Sequence, residues 1–268
     1  MTIRVVAHII LSLVVGGIFI ACCSLAAEML GAEVGGVIAG LPSTVVVTLC
    51  FVALTQSPAR AVEETTFIPA ALGLNCLFFA TFALCASWGV AFALASALAI
   101  WLLLAVFAVL FVPKDLAASL SILACCFLGA SLLLNAVVHP EVAANGRFRL
   151  SVMQVLIRAA FGGLVVGLGV WLSHTGGSLL GGVAAVFPAA GVSTLAITSW
   201  SRGVRFAASL TEPMMVSGAC TILVYALAVR YSYLSIGVVG GTTAAIVASG
   251  GCAYVLYKWR RRRRESAR

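Results

Sequence analysis

Polar residues are so sparse along this chain that they punctuate long apolar runs. Nine such runs can be marked out, at about 5–27, 34–55, 66–86, 90–112, 116–138, 151–173, 179–200, 213–230 and 235–257. A helix of about 20 apolar residues matches the hydrocarbon thickness of a bilayer. The breaks carry helix-stopping chemistry: Gln56-Ser57-Pro58, Val112-Pro113-Lys114-Asp115 and His139-Pro140, with a short uncharged hairpin at Ser87-Trp88-Gly89. The alternation expected of outer-membrane barrel strands is absent. The pattern predicts an all-α polytopic membrane protein with about nine transmembrane helices.

Composition agrees. Hydrophobic residues make up 63% of the chain and charged residues 9%, and the mean hydropathy is +1.17. A soluble fold carries about 25% charged residues and could not cover its surface with so few. The net charge of +8 comes largely from the C-terminal tail, Lys258, Arg260, Arg261, Arg262, Arg263 and Arg264. A basic block directly after an apolar run predicts a topology anchor in contact with anionic lipid headgroups, with no nucleic-acid partner. With that tail in the cytoplasm, Arg147, Arg149, Arg202 and Arg205 also fall inside, and Arg4, Arg60, Lys114 and Arg230 outside. The expected setting is a bacterial-type inner (plasma) membrane, with the N-terminus outside and the C-terminus cytoplasmic.

Arg4 followed by an apolar run, with Ser24-Leu25-Ala26-Ala27 beyond it, has the look of a signal peptide. The internal repeat argues for a retained span. Gly16-Gly17 return as Gly162-Gly163, 146 positions on, and GGVIAGLP (35–42) returns at the same offset as GGVAAVFP (181–188), with five of eight positions identical. Thr48 and Thr194 share that offset. After a one-residue gap Arg60 matches Arg205, Thr66 matches Thr211 and Gly73 matches Gly218. Spans one to four therefore correspond to six to nine, and the odd fifth span makes the second unit enter the membrane in the opposite sense. The expected organisation is a 4+1+4 inverted-topology repeat: unit one at 1–112, a linker helix at 113–140, unit two at 141–257 and a basic tail at 258–268.

The stretch from Gly182 to Gly218 combines GGVAAVFP with Ser201-Arg202-Gly203-Val204 and a short amphipathic run. It resembles the GlpM-like family of small inner-membrane proteins, which are single four-helix units. The first half is similar to the same pattern through GGVIAGLPST and TQSPARAVEETT. The resemblance implies a four-helix architecture for each unit and a link to polysaccharide (alginate) production. It implies no molecular activity.

Candidate chemistry gathers at the two prolines. Pro42 and Pro188 each remove a helix hydrogen bond and free the carbonyl four residues earlier, on Ile38 and Ala184. Such groups need protein or water as partners at membrane depth. Ser43, Thr44 and Thr48 lie near the first break, and Ser193 and Thr194 near the second. One reading is a pair of broken helices meeting at a midplane substrate pathway. The other is a packing seam, with Gly35, Gly36, Gly40, Gly181 and Gly182 allowing close helix approach. Arg158 either snorkels to the surface or lines the pathway. Glu64 and Glu212 lie near helix starts that suit their charge, and each has a second reading as part of a vestibule. Asn75 and Asn135 need hydrogen-bond partners inside apolar helices. Glu28 and His174 end equivalent spans and are read as interfacial.

The nine cysteines fall in apolar segments without CxxC or Cys/His spacing, so they read as packing residues. No metal site, cofactor motif or catalytic set is indicated, and an enzyme is not expected. The function expected is that of a secondary transporter or channel for a small solute or ion. The alternative is a non-transporting accessory or scaffold subunit of a polysaccharide or envelope assembly.

Overall fold

The computed structural model describes residues 3–29, 42–137 and 151–266, and all regular structure among them is helical. In chain order the helices are α1 (Ile3–Met29), α2 (Ser43–Thr55), α3 (Pro58–Glu64), α4 (Ile68–Cys85), α5 (Val90–Phe111), α6 (Leu116–Val137), α7 (Val152–Ala185), α8 (Ala189–Arg202), α9 (Val204–Ser209) and α10 (Thr211–Ser266), with a 3-10 turn at Ala86–Trp88. Six of the described helical stretches are long and apolar enough to cross a membrane. α2 is apolar but short, and most of the remainder of its expected span lies outside the described residues.

Local chemistry explains the starts. Ser57 accepts the Arg60 amide at 3.1 Å, and Pro58 supplies the first helical position of α3. Asp115 accepts from the Ala118 amide at 3.0 Å at the start of α6. Ser151 and Gln154 form a capping box at the start of α7.

Two long helices are in fact hairpins. Gly177 interrupts α7 with φ 89° and ψ 177°. Contacts on its two sides then pair in antiparallel order, with Ser173 against Gly181, Gly169 against Ala185, and Arg158 bonded to Thr194 in α8. Gly237 (φ 76°, ψ 173°) does the same within α10. Across that turn Tyr233 bonds Thr242, Ser249 donates to the Thr221 carbonyl, and Arg260 pairs with Glu212. Only glycine takes this backbone without strain.

α4 is the central element: 72% of its apolar window is buried, against 22% for α5 and 17% for α6. α4 packs on α5, α6 and α10. α5 turns Ala93, Ala97, Trp101, Ala105 and Ala108 inward, at helical spacing. Its outer face, with Leu103 and Leu110 largely exposed, is as apolar as its inner one. A helix hydrophobic all round is suited to lipid as its solvent.

The closest helix crossing joins α1 to α7. A Cβ on Gly17 would lie 3.0 Å from the Ala159 carbonyl oxygen, and one on Gly163 would lie 2.5 Å from that of Leu13. Gly16 faces Val166, and Gly162 faces Ile20. Each contact is thus mirrored by one between the residues 146 positions away. Residue numbers fall on one helix as they rise on the other, so α1 and α7 cross antiparallel. α4 and the first arm of α10 are antiparallel too, because Thr66 meets Arg230 while Asn75 and Cys76 line one cavity with Ser217 and Thr221.

Candidate functional site

The second proline break is built from three elements. Val186 and Phe187 amides turn back to the carbonyls of Val183 (3.3 Å) and Ala184 (3.1 Å), so the carbonyl that Pro188 leaves free finds a local partner. The exposed need shifts to the Val186 carbonyl. Asn75 of α4 donates to it at 2.9 Å and accepts from Trp101 Nε1 of α5 at 2.7 Å. Phe187 packs edge-on against Trp101, with ring centres 5.1 Å apart, and against Phe161 at 6.1 Å. The break is therefore a fixed conformation, capped by a side chain from the first half of the chain. Asn135, by contrast, is exposed on α6.

A cavity of about 350 Å³ opens beside this break. Thr44, Asn75, Pro188, Ser217, Thr221 and Arg260 contribute to its wall, together with apolar residues of α4 and α10. One end reaches Tyr257 and Arg260, where the basic tail leaves the helices, and there Arg260 pairs with Glu212 at 3.2 Å. Its volume lies in the range of small-molecule sites.

The sequence-derived residues separate into groups. Thr44, Asn75 and Pro188 meet at the cavity, and Glu212 meets its rim through Arg260. Pro42 is buried at the N-cap of α2, and its carbonyl accepts from Val46 at 2.9 Å. Thr48 is fully buried against Gly169, away from the cavity wall. Arg158 donates to Thr194 at 3.1 Å, joining α7 to α8. Ser43 is half-buried, and Ser193 bonds back to the Ala190 carbonyl at 3.2 Å. Gly35, Gly36 and Gly40 lie outside the described residues.

Glu64 forms a second centre at the end of α3. Its side chain is fully buried, one carboxyl oxygen accepts from Ser173 Oγ, and the other has no hydrogen-bond partner among the described residues. Gln56 Nε2 donates to the same Ser173 oxygen at 2.9 Å. Gly181 and Gly182 press against Glu64, and a Cβ on Gly182 would lie 2.6 Å from the Glu64 carbonyl oxygen. Loss of water pushes the carboxyl pKa up to about 8, against weaker downward pulls from Ser173 and Arg60. Arg60 is paired with Glu63 at 3.1 Å. Arg230 donates to Thr66 at 2.9 Å and more distantly to Thr65 and the Val62 carbonyl, tying α10 to the turn after Glu64.

Ser173, Gln56, Trp101, Ser217 and Thr221 were not singled out by sequence reasoning. Ser173 closes an expected span beside the polar His174-Thr175, Thr221 is a hydroxyl in an apolar helix, Gln56 reads as part of a helix stop, and Trp101 reads as core. Residues 9–113 match a protein family described as "Protein of unknown function (DUF3147)". No curated protein and no solved structure matches the chain.

Proposed function

We propose that this chain is a secondary transporter or channel for a small solute or ion, whose pathway runs through the cavity between two inverted four-helix units. The cavity carries the reading, because Thr44 and Asn75 of one unit and Pro188, Ser217 and Thr221 of the other share its wall. The hairpin turns at Gly177 and Gly237 divide two long apolar stretches into four crossings. With α1, α4, α5, α6 and the span expected at 34–55, of which α2 is the described part, the count reaches nine. Mirrored contacts between Gly16-Gly17 and Gly162-Gly163 support a pseudo-two-fold axis through the α1–α7 crossing. The family match over 9–113 is nearly coextensive with the first unit, which supports treating 1–112 as one module.

The cavity wall holds hydroxyls, an amide and an arginine, and that arginine is paired with Glu212. This lining suits a neutral or anionic small solute better than a divalent cation, which takes several oxygen ligands. The reading assigns no enzymatic step. It places the protein in a plasma-type membrane with the N-terminus outside and the tail against anionic headgroups.

Single cysteines at Thr44, Ser217 and Thr221, in an otherwise cysteine-free chain in oriented vesicles, test it. Membrane-impermeant thiol reagents should label them from the tail side. Protection of all three from both sides would leave the alternative that the GlpM-like resemblance favours, a non-transporting accessory subunit of an envelope assembly.

A further inference from the structure

We propose that Glu64 is a proton-binding site that closes the seam between α3 and the Gly181–Gly182 turn of α7, so that its proton controls access to the cavity from the side opposite the tail. A buried carboxylate has about four lone-pair sites to satisfy, and here a single hydroxyl among the described residues, that of Ser173, donates to it. Ser173 in turn accepts from Gln56, so the chain of donors ends at the carboxyl. A buried charge with one donor and no bonded cation is costly, whereas the protonated acid is neutral and gains a donor of its own.

Charged and titratable neighbours do not alter this. On its own helix Arg60 is engaged by Glu63. From α10, Arg230 points its guanidinium to Val62, Thr65 and Thr66. From α7, His174 follows Ser173 in sequence and is exposed. Among the described residues α2 faces the site with the uncharged Gln56, and α4 begins at Ile68 with no charge. The upward pKa shift agrees with this geometry.

Position supplies the consequence. Gly182 lies four residues before Val186, so Glu64 stands about one helical turn beyond the proline break, on the face away from the tail. Glycine backbone meets the carboxyl and carbonyl of Glu64 directly, with Ser173 and Phe67 at the edges of the contact. Loss of the proton leaves a charge that water can relieve only if this seam parts. The gating role rests on the cavity being a pathway; the proton site does not.

Infrared spectra of the full-length protein in lipid vesicles, taken from about pH 5 to about pH 9, test the site. A protonated-carboxyl C=O band should disappear with a midpoint near 8, be missing in Glu64→Gln, and titrate at higher pH in Ser173→Ala. Absence of the band at low pH, its survival in Glu64→Gln, or a midpoint that follows sodium concentration overturns the proposal. In the same vesicles a cysteine at Thr44, its rate divided by that of a cysteine at the exposed Lys114 to cancel the thiol's own ionisation, should react several-fold faster from the side opposite the tail once the band is lost, with no change of that ratio in Glu64→Gln. A titrating band with pH-independent labelling overturns the gate. A titrating band with no labelling from either side overturns the cavity as a pathway and leaves the proton site standing.

Discussion

At the scale of single residues, the side chains that matter are polar groups whose partners come from far along the chain. Asn75 connects the Val186 carbonyl to Trp101, and Asn75→Ala removes both bonds at once. Each orphaned buried group costs about 1–3 kcal/mol, so a loss of about 2–6 kcal/mol is expected in thermal or denaturant unfolding. Trp101→Phe should cost less, because Asn75 Oδ1 can then turn to water in the cavity. Glu64 gives a pH signature. Its folded pKa is raised from 4.5 to about 8, so the folded state binds the extra proton and its stability falls as pH rises between those values. Melting temperature should drop across that window in the native chain and stay flatter in Glu64→Gln. The need for a partner at Asn75 was legible from an amide in an apolar helix. Its partner was not, since Val186 is 111 positions away and the repeat offset pairs Asn75 with other residues. Ser173 was invisible for a simpler reason: a serine in a membrane helix usually bonds its own backbone.

At the scale of elements, glycine does two different jobs, and substitution separates them. Gly163→Ala puts a methyl group 2.5 Å from the Leu13 carbonyl oxygen, which is backbone and cannot step aside. Overpacking of this kind costs about 1–3 kcal/mol, and the melting temperature should fall accordingly. Gly218→Ala meets nothing within 4 Å. It should be neutral or stabilise by up to about 1 kcal/mol through helix propensity. Equal effects at the two positions would contradict the α1–α7 crossing. The glycine pairs were readable as a repeat, but sequence identity alone did not say that the copies pack on each other. Helix ends were less legible where turns are apolar. Gly237 reverses the chain between Ile236 and Val238, inside the run expected at 235–257, because the positive φ that turns the chain falls on a glycine just beyond the polar stretch at 230–235.

At the scale of the whole molecule, the nine crossings proposed here would put the two ends on opposite sides of the membrane, whereas six would put them on one side. Reporter fusions at residue 1 and residue 268 should therefore respond to opposite compartments, with the C-terminal fusion cytoplasmic; both on one side would refute the odd count. The fold class was legible because lipid demands long apolar helices and leaves few charges to confuse the pattern. The pocket was not, because it arises from α2, α4, the α7–α8 break and α10 meeting, which no local pattern encodes. The helix left over from the repeat has a consequence of its own. α6 lies against Gly73 in the first unit, while Gly218, its counterpart in the second, faces open space. Two identical halves could exchange conformations and return to a state of equal energy, so inward-open and outward-open forms would be degenerate. If the two halves alternate as proposed, α6 clamped on one half and Glu64 carried by that half alone lift the degeneracy and give the molecule a built-in resting direction.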